Sequence, residues 1–268
     1  MSHEHSNDIP IVIERDGPLV RLRLNRPDKL NALNVAAHEA MHAALGAARD
    51  DESCRAVMIT GTGRGFCVGQ DLGDRDPAKG DAIPNLGDTL RHYYNPTIQL
   101  ISTMPKPVIA AVNGVAAGAG VNIALACDIV VATASATFIQ AFSKIGLAPD
   151  AGGSWHLPRL VGMARAKGLA MTAEPLPAET AAKWGLIWDC YDDDSFADKA
   201  EALAQKLANG PTTGLALTKQ ALNEAGANTL ERQLEREAEF QAQAGASADY
   251  AEGVAAFLAK RPAEFSGK

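Results

Sequence analysis

The stretch KPVIAAVNGVAAGAGVNIALACDIVVA, residues 106–132, sets the fold class. KPVIAAV (106–112) is a short, bounded apolar run, the pattern of a strand buried on both faces. Gly114 to Gly120 then leads into a helix, VNIALAC, and DIVVA (128–132) is another strand. Strand, helix and strand in so short a span signal an α/β core. The wider apolar stretch from Pro107 to Ala136 does not read as a membrane helix. Asn113, Asn122 and Asp128 interrupt it, and a span needs about 20 apolar residues.

Outward from this stretch the alternation continues. RAVMITG (55–61) is a buried strand ending in glycine. Residues 35–49 form an alanine-rich helix, and residues 9–24 read as two short strands around the turn Asp16-Gly17. GTGRGFCVGQDLGDRDPAKGD (61–81) is a long Gly/Asp-rich loop, of a length that usually carries function. A polar, partly helical stretch follows to Met104. Beyond it, helical patterns cover 153–171, 177–184, 195–208, 211–223, 229–243 and 247–259, with WGLIWDCY (184–191) between them. The expected organisation is an α/β core over 1–195, carrying the active site, and a helical oligomerisation region over 196–268.

Composition narrows the function. The chain has 268 residues, 47% of them apolar, enough for a sizeable core. It holds 50 alanines against 14 aromatics, so the core rests on close backbone contacts rather than large rings. The 25 Lys+Arg against 32 Asp+Glu give a net charge of −7, which argues against a nucleic-acid partner. Local basic residues can still meet one phosphate-bearing ligand. Cys54, Cys67, Cys127 and Cys190 are scattered, with no Cys-x-x-Cys, as in a reducing cytoplasm. The opening MSHEHSND has no apolar signal core. These features predict a cytoplasmic protein with no membrane partner.

Several motifs carry little. His38-Glu39-Ala40-Met41-His42 fits H-E-x-x-H, but Leu45 and Ala48 stand where the extended zinc motif needs glycine and a third histidine. It reads as two surface histidines, with no metal. Gly61, Gly63 and Gly65 lack the dinucleotide spacing. Walker A and G-x-S-x-G sequences are absent. More informative are two loops, each following a buried strand: GRGFCVGQDL (63–72) and NGVAAGAGVN (113–122). The second runs into a helix start, where backbone N–H groups are unpaired and the dipole favours negative charge. Side by side, two such turns aim two donors at one oxygen, as an oxyanion hole does. Tight helix–strand packing is the plain alternative for the glycines. In GLAPDAGGSWHLPRL (146–160), Asp150 reads as a helix cap or as a carboxylate among apolar neighbours, fit for acid–base work.

The ordered set RPDKLNALN (26–34), GTGRGFCVGQDL, KPVIAAVNGVAAGAGVNIALACDIVVA, FSKIGLAPDAGGSWHLPRLVG (142–162) and SADYAEGVAAFLAKRPAEF (247–265) resembles the crotonase, or enoyl-CoA hydratase/isomerase, superfamily. The resemblance implies the ClpP/crotonase-like fold: an α/β spiral of ββα units with a C-terminal helical trimerisation region. It implies an acyl-CoA thioester substrate, CoA being part of that substrate and no separate cofactor. The thioester oxygen is expected between the N–H groups of Val68 and Ala119. Val68, Gly69, Gln70 and Asp71 would line the thioester end, with Lys29 and Ala32 near CoA. Lys260 would reach the CoA nucleotide, often across a subunit boundary. A homotrimer or dimer of trimers is implied.

Departures from the family pattern select the reaction. The two hydratase glutamates correspond to Asn122 and Phe142, neither a proton-transfer group at neutral pH. Asp150 corresponds to the single carboxylate of some isomerases. The later blocks are most similar to members of phenylacetate catabolism that turn ring-1,2-epoxyphenylacetyl-CoA into oxepin-CoA. Δ3-to-Δ2 enoyl-CoA isomerisation would use the same parts. An enoyl-CoA hydratase, an aroyl-CoA dehalogenase with Asp150 as nucleophile, and a non-catalytic acyl-CoA-binding subunit remain alternatives.

Overall fold

The computed structural model describes residues 9–75 and 85–268. Strand alternation builds its main sheet. In β3 (Ala56–Gly61), Val57 and Ile59 enter one hydrophobic cluster while Ala56 and Met58 enter another. β5 (Val108–Val112) splits the same way, Val108 and Ala110 against Ile109 and Ala111. Both strands are therefore apolar throughout, because both sheet faces are covered. β1 (Ile11–Asp16) and β2 (Leu19–Leu24) form the expected hairpin. With β7 (Ile129–Thr133) and β10 (Asp189–Tyr191), the order is β1-β2-β3-β5-β7-β10, parallel from β2 onward.

A second sheet was not visible in the sequence. β4 (Gly65–Cys67), β6 (Val115–Ala117), β8 (Thr137–Ile139) and β9 (Leu176–Pro177) pair in that order. Strands of two or three residues are too short to show alternation. Each long strand β3, β5 and β7 thus runs into a short strand of the second sheet, which is the repeating step of the spiral.

Helices fill the remaining space. α1 (Val35–Asp50) starts where the Asn34 side chain accepts the Ala37 N–H, and buries Ala37, Met41, Ala44, Leu45 and Ala48. α2 (Leu86–Thr89) and α3 (Asn95–Thr103) are joined by a wider π-type segment, Leu90–Tyr94. Pro96 follows it; a proline ring crowds the preceding turn and lacks an N–H, and the wide turn accommodates this. α4 (Ala119–Ala126) is buried on every side, which explains its alanines and glycine. α5 (Gly153–Thr172) is not one straight helix: Gly162 has φ 75°, ψ 163°, and breaks it. α6 (Ala178–Trp184) precedes β10.

α7 (Asp193–Ala208) packs on the main sheet through Phe196, Ala200, Ala204 and Ala208. Residues 196–208, assigned from sequence to the helical region, therefore belong to the sheet's outer layer. The helices that leave the sheet are α8 (Thr212–Ala225), α9 (Leu230–Gly245) and α10 (Ala248–Leu258). Among the described residues, no helix is long and apolar enough to cross a membrane.

Candidate active site

The site forms where β4 and β6 lie side by side and their following turns meet. A Cβ on Gly120 would stand 2.1 Å from the Cys67 carbonyl oxygen, and one on Gly69 3.1 Å from the Ala119 nitrogen. Only glycine lets these two backbones approach so closely. Ala119 is the first residue of α4, so its N–H has no acceptor within the helix.

The N-terminal segment fastens the other turn. Leu33 forms a parallel bridge with Gln70: the Leu33 N–H donates to Gly69 O at 2.7 Å, and the Asp71 N–H to Leu33 O at 2.9 Å. Arg26 pairs with Asp71 at 2.9 Å, and the buried Asn31 donates to Thr62 O and Gly65 O. Burial disfavours ionisation of Asp71, but the Arg26 and Gly73 hydrogen bonds outweigh it and hold its carboxyl below the ordinary range. The residues of RPDKLNALN therefore shape the donor loop.

This pairing corrects one expectation. The Val68 N–H donates to Leu30 O at 3.2 Å and is already engaged. In the bridge, Gly69 O and Asp71 N–H face Leu33, so the intervening Gln70 N–H faces the other way. It has no acceptor among the described residues. Gln70 and Ala119 thus each present a backbone amide with no acceptor among the described residues. Strand alternation carried the missed signal, but only the bridge to Leu33 sets its phase.

Val68, Gln70, Ala119 and Asp150 all line one cavity of about 370 Å³, a size suited to a small organic group. Leu72, Leu86, Leu90, Phe142, Ile145 and Leu147 give it mostly apolar walls. Tyr94 is buried and its hydroxyl donates to Gln70 Oε1 at 3.2 Å. Asp150 enters on a turn before α5. Its carbonyl oxygen accepts the Gly153 N–H and the Asn122 amide, each at 2.8 Å.

Other expected residues lie outside the cavity lining. Gly69 forms the close backbone approach. Asp71 is tied to Arg26. Ala32 is buried and its carbonyl accepts from Arg26. Lys29 is exposed on the short 3-10 turn Pro27–Lys29, and Lys260 is exposed just past α10. Phe142 lines the cavity; Asn122 lies fully buried behind it. His38 is not on the surface: it is buried and packs against Tyr93 and Tyr94, while His42 is exposed. Among the described residues, no cluster of His, Cys, Asp and Glu could hold a metal ion.

Comparison with known proteins agrees with this architecture. The family model described as Enoyl-CoA hydratase/isomerase matches residues 14–268. The chain is 51% identical over 250 residues to the 1,2-epoxyphenylacetyl-CoA isomerase of Escherichia coli K12, covering 93% of this chain and 95% of that protein. It is equally 51% identical, with the same coverage, to a Rhodobacter capsulatus protein named "Probable enoyl-CoA hydratase". The crystal structure of an enoyl-CoA hydratase from Polaromonas sp. JS666 superposes with TM-score 0.87 at 36% identity, covering 95% of this chain and 99% of that one. The protein belongs to the enoyl-CoA hydratase/isomerase family. It has the crotonase fold and is a crotonase-family enzyme.

Proposed function

We propose that this enzyme is an acyl-CoA isomerase that converts ring-1,2-epoxyphenylacetyl-CoA to oxepin-CoA. One observation carries the reading: two unpaired backbone amides, of Gln70 and Ala119, border a cavity that also takes in Asp150. The thioester oxygen sits between the two amides. Asp150 removes a proton from the carbon beside the thioester carbonyl, and the electron pair moves onto that oxygen as an enolate. Donors aimed at such developing charge are each worth roughly 3–4 kcal/mol. The bond between the two epoxide carbons breaks as the ring expands to seven members with oxygen in it, and the enolate is conjugated with the new ring. Asp150 returns the proton to a ring carbon at the far end of that conjugation, so the formula is unchanged. CoA is part of the substrate, and no separate cofactor or metal is needed.

Δ3-to-Δ2 enoyl-CoA isomerisation uses the same parts, with Asp150 returning the proton two carbons away. The similarity to the named E. coli isomerase supports the first reaction. The equal similarity to the R. capsulatus protein keeps hydration as a second reading. Phe142 on the cavity wall disfavours it, since a benzyl side chain cannot activate water. Dehalogenation with Asp150 as nucleophile has weaker support, a 32% identity to the 4-chlorobenzoyl coenzyme A dehalogenase-2 of Arthrobacter sp, and silent CoA binding rests on no further observation.

Lys29 and Lys260 are proposed to meet the CoA phosphates, with Lys260 supplied by a neighbouring subunit of a trimer or dimer of trimers in the cytoplasm. Residues 1–195 would carry the chemistry and 196–268 the assembly, with α7 serving as the joint. The test is turnover of 3-enoyl-CoA and ring-epoxide phenylacetyl-CoA by wild type and Asp150→Asn. The substituted enzyme should lose about 10²–10⁴-fold in kcat while still binding the thioester. Full activity on both substrates would overturn the reading.

A further inference from the structure

We propose that Asn122 is a positioning residue that fixes Asp150 relative to the oxyanion donors, an inference that rests on Asp150 being the acid–base group. Asn122 is fully buried on α4, one turn after Ala119. Its Nδ2 donates to the Asp150 carbonyl at 2.8 Å, and its Oδ1 accepts from Gln140 Nε2 at 2.8 Å. A backbone carbonyl can only accept. The Asn122 amide must therefore present nitrogen to Asp150 and oxygen to Gln140, and Gln140 must answer with its own nitrogen. Each orientation forces the next.

The turn that carries Asp150 needs such a hold. Ala151 and Gly152 are both left-handed, with φ 46° and 79°. A left-handed alanine is strained and persists only where its surroundings impose it. The Asp150 carbonyl accepts both from the Asn122 amide and from the Gly153 N–H, which ties the turn to α4 and to the start of α5. A Cβ at Gly153 would lie 2.3–2.6 Å from three atoms of the Asn122 amide, so that amide is pressed directly against the turn.

One side chain therefore joins three walls of the cavity. The helix that presents the Ala119 N–H carries Asn122. Gln140 immediately precedes the 3-10 turn Ala141–Ile145, which holds Phe142. The third wall is Asp150 itself. The distance from the proton-transfer group to the thioester oxygen is set through this amide. An error of about 1 Å in such a distance costs on the order of 10²-fold in rate, with little effect on binding made elsewhere.

The experiment is steady-state kinetics of Asn122→Leu, Asn122→Asp and Gln140→Leu beside Asp150→Asn, with thermal midpoints for each. Asn122→Leu should lower kcat by about 10–100-fold while KM for the acyl-CoA changes less than about threefold. Asn122→Asp keeps the acceptor for Gln140 and the volume but loses the donor. It should show the same split, and it carries the test if the leucine variant does not fold. Gln140→Leu keeps the Asn122–Asp150 bond and should show a smaller loss in kcat. A kcat within twofold of wild type in both Asn122 variants, with Asp150→Asn inactive, would sink the positioning role alone. A rise in KM parallel to the fall in kcat would also sink it. Full activity of Asp150→Asn would remove both this role and the acid–base reading.

Discussion

The Ala119 N–H can be removed without disturbing the helix it begins. Proline is favoured at the first helical position because its missing N–H has no partner there anyway. Ala119→Pro should therefore keep a thermal midpoint near wild type yet lose about 10²–10³-fold in kcat; a mere loss of affinity would argue against an oxyanion role. Tyr94→Phe should act differently. It releases the Gln70 side chain but leaves the backbone donors, so a change in preference among acyl groups is expected, measured as the ratio of kcat/KM for ring-bearing and straight-chain thioesters. At this scale the singled-out Asp150 does line the cavity, and the sequence was legible where a feature is tied to residue type, as with the glycines that let two backbones meet. It was not legible where the donor is backbone. Val68 and Gln70 differ only in the direction of an N–H, and that direction is set by pairing with Leu33, distant in the chain. His38 misled for a similar reason: its burial depends on Tyr93 and Tyr94, which come from another helical segment.

Longer elements were readable because each repeats its signal. β3, β5 and β7 are continuous apolar runs, and the helices after Asp150 carry regular spacing. The second sheet has no such repetition, and its strands exist because the first sheet delivers them side by side. One buried lysine shows how elements are tied. Lys106 Nζ donates to the carbonyls of Ala48, Arg49 and Asp51 at 2.6, 2.9 and 2.6 Å, closing the end of α1. Burial lowers its pKa, so three carbonyl acceptors compensate a desolvated charge. Lys106→Met leaves those carbonyls without their donor and should cost about 2–4 kcal/mol, read from the denaturant midpoint. α5 supplies a pH test. Burial, then the nearby Arg159 guanidinium, pushes the His156 imidazole down to about 4 from its ordinary 6.5. The unfolded chain takes up this proton below 6.5 and the native chain does not. The associated stability, about 3 kcal/mol at most, is present above 6.5 and lost as pH falls toward 4. Between pH 7 and 4.5, the thermal midpoint of wild type should fall more steeply than that of His156→Gln.

Across the whole molecule, the outer helices are fastened to the core at a few polar points. The Lys219 ammonium reaches Asp128 at 2.9 Å and Ile101 O at 2.7 Å, and Arg55 donates to Phe265 O at 2.9 Å. Burial raises the pKa of Asp128, with Lys219 opposing it. Around α8 lie grooves of about 920 and 800 Å³, larger than the cavity at Asp150, so volume alone does not single out the candidate site. Trp155, Leu160 and Leu222 line the second groove and are exposed, as are Tyr250, Phe257 and Leu258 on α10. Apolar exposure on this scale marks surfaces that meet other chains. Wild type should sediment as a trimer or hexamer, and removal of residues 247–268 should reduce both assembly and CoA affinity; a monomeric wild type would contradict this. The wide turn at Leu90–Tyr94 bears on how such an enzyme diversifies. It amounts to one extra residue in an otherwise regular helix. Deleting one residue there would close the segment to an ordinary turn; because the wide turn absorbs its extra residue by local unwinding, Leu86 and Thr89 would stay nearly in phase, while the turn's own lining side chains, Leu90 and Tyr94, would move. The ceiling of the cavity would be recut, while the donor loop and Asp150, borne on other segments, kept their places. A one-residue deletion in this turn should thus change which acyl groups fit, with the donor loop and Asp150 left in place.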